Sequence, residues 1–248
     1  VRINIFMYTF FRNHISQLFI FFFTIFLFSA EAIGFNVDID GALDEAAYKK
    51  VPPLNSATNI GVLYLVPMKD ELYIGAEVKD AKINVVNPQK FWEGSGIEIW
   101  FDWGNEGNAT FDKNDQQFWF VPVKGKGKEG YAGQWHRAQD NIKATIYDYA
   151  NEGDLVDMAF VVDKGQGYTI EARIAKKAIA GYNPNATIGL TYSVDKGGAK
   201  FQWDKKNCAN GFWENPSMWP DLELSEILSV DVANKLPIRW GNLKLGLQ

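Results

Sequence analysis

The sequence predicts an all-β fold: a two-sheet antiparallel β-sandwich, jelly-roll or immunoglobulin-like, with little helix. Three observations carry this. Eight β-branched or aromatic runs are each bounded by Gly, Pro, Asn or Asp. Several of them alternate apolar and polar residues, the mark of half-buried antiparallel strands. Helical periodicity is sparse. Many short strands separated by turn signals are the pattern of a sandwich.

The N-terminus is set apart from this pattern. Residues 18–28 (LFIFFFTIFLF) form an apolar run broken only by Thr24, with Arg12 before it and Ala30-Glu31-Ala32 after it. A basic flank, an apolar stretch and a small-x-small site read as a secretory signal peptide. The run is shorter than the ~20 residues that span a bilayer, so a retained anchor is the weaker reading. Met7 is a plausible start. No Cys stands at the cleavage site, which argues against a lipoprotein. The expectation is a signal peptide over 1–32 and one β domain over 33–248. The mature protein is then secreted, periplasmic or extracellular, with no membrane attachment after cleavage.

The predicted strands are 58–66, 71–78, 96–101, 116–123, 142–149, 155–162, 168–174 and 187–194. In the seventh, Tyr168, Ile170, Ala172 and Ile174 share one face, and Thr169, Glu171 and Arg173 share the other. Met68-Lys69-Asp70 and Lys164-Gly165-Gln166-Gly167 have the composition of hairpin turns. One helical turn is expected over 175–180, stopped by Gly181. A short helix is expected over 221–235, with Asp221 as N-cap and Pro237 past its end. No repeat or second domain is evident.

Composition narrows the function classes. The formal net charge is −5, from 25 Lys and Arg against 30 Asp and Glu. The basic cluster Lys124-Gly125-Lys126-Gly127-Lys128 reads as a solvated hairpin loop, so nucleic acid is not an expected partner. Cys208 is the one cysteine. An exported chain with one cysteine has no internal disulfide and relies on its core. With His136 the one histidine after the signal segment, zinc and a Cys/His catalytic pair are disfavoured.

Two tryptophans stand out because each lies in a polar, turn-rich segment. Trp92 sits in Pro88-Gln89-Lys90-Phe91-Trp92-Glu93-Gly94-Ser95-Gly96, and Trp213 in Asn210-Gly211-Phe212-Trp213-Glu214-Asn215-Pro216. Loops on a rigid scaffold are where binding residues concentrate. Two flat indoles flanked by carboxylates and amides suit a flat, hydroxyl-rich ligand such as a sugar. The alternative is that both rings cap the ends of the sandwich core.

Several segments in order resemble the family 9 carbohydrate-binding modules, within the wider DOMON-like superfamily. Ile39-Asp40-Gly41-Ala42-Leu43-Asp44-Glu45-Ala46-Ala47-Tyr48 resembles the opening IDG-x-LDE-x-x-W, with Tyr48 in place of Trp. Residues 71–80 (ELYIGAEVKD) resemble the strand x-LYV-x-x-x-V-x-D, and residues 92–102 (WEGSGIEIWFD) resemble W-x-x-D-x-VEIFID. Residues 167–174 (GYTIEARI) and Ile188-Gly189-Leu190 are similar to further family strands. Trp240-Gly241-Asn242-Leu243-Lys244-Leu245 resembles the closing WGNLxL.

The resemblance implies a β-sandwich that grips the chain-end sugars of β-glycans such as cellulose or xylan between two tryptophans. By position, Trp92 and Trp213 match these rings. Asn210 and Glu98 match polar sugar contacts, and Gln117 lies on a strand that carries others. Where some members have a basic residue this chain has Trp119, which would be a third stacking platform or the sign of a different ligand. Ser95 or Gly96 stands where the family often has Asp. The stretch 219–237 looks longer than the usual link to the last strand. The implied partner is an oligo- or polysaccharide, with a separate secreted glycoside hydrolase as a possible associate.

Other chemistries are weaker. A glycoside hydrolase needs two carboxylates about 5–5.5 Å or 6.5–9.5 Å apart. Glu98 with Asp102, or Glu77 with Glu171, are the pairs to consider, but no motif singles them out. Haem binding, known among DOMON-like relatives, would draw on Met68, Met158, Met218 and His136, with no convincing pair of axial ligands. Structural calcium is an option in oxygen-rich loops, with Asp80 and Asp102 the favoured ligands. Such loops also form ordinary turns.

Overall fold

The computed structural model describes residues 37–122, 126–127, 130–138, 141–147, 154–163, 165–203 and 211–229. The N-terminal segment read as a signal peptide, Cys208, Asn210 and the closing Trp240 segment lie outside them.

Two antiparallel sheets carry the fold, with two short helices among the described residues. The first sheet has six strands in the order β1 (Leu54–Asn55), β2 (Gly61–Pro67), β3 (Glu71–Val78), β10 (Gly167–Ala175), β9 (Val156–Asp163) and β6 (Lys126–Gly127). The second has seven. Its main order is β12 (Ala199–Gln202), β11 (Thr187–Lys196), β4 (Ser95–Asp102), β5 (Asp115–Val121), β7 (Tyr131–Ala138) and β8 (Asn141–Tyr147). β13 (Asp221–Glu223) pairs with the other half of β11. Among the described residues, no helix is long and apolar enough to cross a membrane.

The core lies between the inner faces. From the second sheet come Ile97, Ile99 and Phe101 of β4, Phe118 and Phe120 of β5, and Leu190, Tyr192 and Val194 of β11, each at most 1% exposed. From the first come Leu63, Leu65, Ile74, Ala76, Ile170, Ala172 and Ile174, all similarly buried. The period of two along these strands selects these residues. β10 follows the predicted alternation: Thr169 and Arg173 are half-buried between buried Tyr168, Ile170, Ala172 and Ile174. Glu171 breaks it, being 0% exposed although it points away from the core. The reason is that residues 38–49, including helix α1 (Ala46–Lys49), cover the outer face of β3 and β10. A Cβ on Gly75, opposite Glu171, would stand 2.8 Å from the Tyr48 ring.

Each of the eight predicted strands is present, with ends shifted by a few residues. The short strands β1 and β12 were not predicted, and three further features differ. β7 escaped prediction because YAGQWHRA has no β-branched residue and no clean alternation. The Lys124–Lys128 stretch supplies β6, which pairs with β9, rather than only a loop. Asp221 is not a helix N-cap: it begins β13, and helix α2 runs Leu224–Ser229. Pairing with β11 won over the local capping signal. The predicted turn after β10 is a 3-10 turn, Lys176–Ala178, and Gly181 follows at φ +76.

Candidate functional site

The outer face of the second sheet is the place where the sequence-selected residues meet. On β4, Glu98 and Trp100 point to it; on β5, Gln117 and Trp119 do so. Cross-strand register sets Glu98 opposite Trp119 and Trp100 opposite Gln117. Across β11, Ser193 stands opposite Glu98 and Thr191 opposite Trp100. β12 then sets Lys200 opposite Asp195.

Two aromatic clusters grow from this face. Phe91 stacks on Trp119 with ring centroids 4.2 Å apart and planes 2° from parallel, and Trp92 meets Phe91 edge-on at 5.1 Å. Both come from the 3-10 segment Pro88–Glu93, which Gly94 N closes onto Phe91 O at 3.1 Å. Tyr131 Oη, donating to Val86 O at 3.1 Å, ties the same loop to β7. Trp119 lies flat over Gly133: a Cβ there would stand 1.9 Å from the ring. Trp119 is therefore not an open third platform. It is 1% exposed and serves as the base on which Phe91 and Trp92 rest.

The second cluster stands on Trp100. Phe212 meets Trp100 edge-on at 5.2 Å, and Trp213 meets Phe212 edge-on at 5.3 Å. Trp219, whose Nε1 donates to Phe212 O at 2.7 Å, locks the loop. Gly211, at φ +92, makes the turn into it. Ser217 N donates to Asn108 O at 2.9 Å, joining this loop to the one after β4. Trp92 and Trp213 are both half-buried, so each keeps surface in contact with solvent while its neighbour is buried.

Between the clusters the floor is polar. Gln117 Nε2 donates to Glu98 Oε2, and Lys200 Nζ donates to Glu98 Oε1. Lys200 also donates to Asp195 Oδ1 at 3.0 Å, and its ammonium lies 5.8 Å from the Trp100 ring centroid. Glu98, Gln117 and Asp195 are at most 3% exposed, whereas the Lys200 side chain is 24% exposed. Burial pushes the Asp195 carboxyl well above its ordinary range, the Glu98 charge adds to this, and Lys200 offsets it only in part. For Lys200, burial alone would lower the pKa, but the two carboxylates outweigh it and raise it.

Lys200 and Asp195 were not selected from the sequence. Lys200 lies two residues after the Gly197-Gly198 turn and looks like an ordinary hairpin lysine. Asp195 shares an acid–basic dipeptide with Lys196. Only the β11–β12 register folds Lys200 back over Glu98. It brings a positive charge to the face that carries Trp100 and Trp119.

The other candidates are dispersed. Asp80 Oδ2 accepts from Ser95 Oγ at 2.6 Å at the start of β4, with Lys196 Nζ 3.9 Å away. Asp102 ends β4, about 23 Å along the strand from Ser95, where its carboxylate accepts from Glu106 N and Gly107 N. The two do not share one ion. Asp115, opposite Asp102, is pushed up to about 7 by burial and then by Asp102, Asp112 and Glu106. Glu98 and Asp102 stand four residues apart on one strand, about 13 Å, beyond either hydrolase spacing. Glu77 accepts from Tyr64 Oη, and Glu171 is held by backbone amides. Met158 is 0% exposed in the first sheet, and Met218 packs with the Trp100 cluster on the second, so they form no axial pair. The side chain of His136 and the whole of Asn210 lie outside the described residues.

Comparison with known proteins fits this geometry. Two solved structures of a family 9 carbohydrate-binding module from Caldicellulosiruptor kristjanssonii share the fold. The one in complex with cellotriose gives a TM-score of 0.53 at 18% identity, covering 76% of this chain and 89% of that one. The one in complex with glucose gives 0.52 at 18% identity, covering 76% and 91%. Among curated proteins no match is found. The family model described as carbohydrate family 9 binding domain-like matches residues 39–227, most of the chain, and the chain belongs to that family.

Proposed function

We propose that this chain is a secreted, non-catalytic carbohydrate-binding protein that holds a β-glycan or its chain end between Trp92 and Trp213. The observation that carries the reading is the rooting of both indole-bearing loops on one sheet face, on either side of the Glu98–Gln117 pair. Indole faces take the C–H surfaces of a pyranose. Charge-assisted hydrogen bonds take its hydroxyls, and Lys200 is the accessible donor of the floor. Two carboxyl groups share the one ammonium, so the floor has no excess positive charge to hold a uronate. The apolar run at residues 18–28, read as an export signal, supports a protein that binds glycan outside the cytoplasm. Any hydrolysis would fall to a separate glycoside hydrolase.

The test is titration with cellobiose, xylobiose and their reduced alditols, followed by tryptophan fluorescence and heat. Saturable binding to the sugars, lost with the alditols, supports chain-end recognition. Equal binding of alditols moves the reading to internal chain segments. Absence of any signal with all four rejects small-sugar binding.

A further inference from the structure

Trp92 is carried by the loop that joins β3 to β4, and both limbs of that loop close on Ser95. Ser95 opens β4 and is 0% exposed. Its Oγ donates to Asp80 Oδ2 at 2.6 Å and accepts from Asn84 N at 2.9 Å. Its own N donates to Asn84 O at 2.8 Å. One serine thus holds the first limb of the loop at Asp80 and at Asn84. The segment Pro88–Glu93, which bears Phe91 and Trp92, follows directly. Asn84 Nδ2 adds a longer bond to Glu93 O at 3.4 Å. The two limbs lie close together: a Cβ on Gly94 would stand 2.7 Å from Asn84 O.

Asp80 is held in its turn. It is 1% exposed, and its Oδ1 accepts from Lys82 N at 3.2 Å, with Lys196 Nζ 3.9 Å away. Lys196 stands opposite Ser95 in the β4–β11 register, and Gly197 N donates to Gly94 O at 3.0 Å. The turn after β11 therefore backs the same anchor. The Phe91–Trp119 stack fixes the tip of the loop to the sheet, and Ser95 fixes its stem. A binding ring serves its ligand only when the residues beneath it hold it near the productive geometry. The Ser95 hydroxyl does this twice over, donating to a buried carboxylate and accepting from a backbone amide. Its removal takes a partner from both, and a buried group that loses its partner bears the cost of its own desolvation. Alanine keeps the Cβ and the strand register, so the loss falls on the junction between strand and loop.

We infer that Ser95, with Asp80 behind it, is a positioning residue that holds Trp92 in place for the sugar. It acts through the loop, since its own side chain is buried beneath it. The inference rests on the reading of Trp92 as a sugar-binding ring.

The experiment measures cellobiose binding by calorimetry, and backbone hydrogen exchange, in the wild type, Ser95→Ala, Trp92→Ala and the double variant. Ser95→Ala should weaken cellobiose binding about fivefold to tenfold, the scale of one lost hydrogen bond. Exchange should quicken over residues 81–94 and stay unchanged over residues 97–101. On the Trp92→Ala background the same substitution should change affinity less than about twofold, because residues that act through one another are not additive. A merely structural role would weaken binding equally on both backgrounds. Asp80→Ala removes the acceptor at the other end of the bond, should show the same pattern, and decides the matter if Ser95→Ala fails to fold. Unchanged exchange over 81–94 in both variants overturns the inference and leaves the loop to the Phe91–Trp119 stack and Tyr131. An equal loss of affinity with and without Trp92 overturns it as well. A wild type that binds no cellobiose rejects the sugar reading and the positioning role with it, whereas cellobiose binding that Ser95→Ala leaves intact rejects the positioning role alone.

Discussion

Trp100 and Trp119 occupy diagonal positions on neighbouring strands, with Glu98 and Gln117 on the crossing diagonal. Diagonal neighbours in an antiparallel pair lie about 7–8 Å apart, within reach of long side chains. The arrangement therefore alternates indole and hydrogen-bonding group over a small patch. Each indole supports its own loop, and each loop lifts a second indole towards solvent.

From this follows a division between the two pairs of tryptophans. Trp92→Ala and Trp213→Ala remove half-exposed rings and should weaken cellobiose binding at least about tenfold, roughly 1.4 kcal/mol or more, with small changes in stability. Trp100→Ala and Trp119→Ala remove rings that are 1% exposed and should cost about 3–5 kcal/mol of folding stability. Urea unfolding and sugar titration on all four variants check the division. A Trp92→Ala protein that binds like wild type would remove Trp92 from the site.

Gly133 tests the foundation of the first loop without touching an aromatic residue. Its absent side chain leaves room for Trp119 to lie flat. Gly133→Ala should push that ring off Phe91, lower stability by about 1–3 kcal/mol, and weaken sugar binding through Trp92. Near-ultraviolet circular dichroism reports the loss of the stacked pair. An unchanged aromatic spectrum would show that the ring has another place to go.

Much of this was legible in the sequence. The strands were, because β-branched alternation such as Tyr168 to Ile174 is a local signal. Trp92 and Trp213 are conspicuous in the sequence as large rings in Gly, Asn and Pro segments, and the structure leaves both half-buried. Trp119 was misread because an aromatic residue on an outward-facing strand position looks exposed, and only the Phe91 loop and Gly133 bury it. Lys200 was missed because its role depends on register between two strands. Glu171 was read as an outward strand residue, and its burial depends on a segment 130 residues away in sequence. What a distant segment covers is not written in local pattern.

Lys200 is expected to serve both stability and binding. Lys200→Met leaves Glu98 and Asp195 together without a counter-charge and should destabilise the fold by about 3 kcal/mol. Adding Glu98→Gln removes the orphaned charge and should restore most of that stability. Sugar binding should stay weak in the double variant, because the accessible donor is gone. Stability recovered together with full affinity would make Lys200 a purely structural neutraliser.

Asp195 offers a pH test with a defined sign. Its carboxyl is raised in the folded protein, by burial and then by Glu98. The native state thus holds a proton that the unfolded chain gives up near the ordinary value of about 4. Stability from this group is fully present below that value and falls as pH rises towards the folded pKa. Lys200, also raised, contributes in the opposite range: its part is present below its ordinary value and is lost only in strong alkali as pH passes its folded pKa. Asp195→Asn keeps an oxygen for Lys200 and Ser193 but carries no ionisable proton. The variant should therefore gain on the wild type as pH rises, by at least about 1 kcal/mol between roughly pH 4 and pH 8. Urea unfolding of both proteins across that range measures it. A difference that stays flat, or that shrinks with pH, would mean that Asp195 ionises normally beneath Lys200. The floor would then carry a net negative charge, which would turn an anionic sugar away more strongly still.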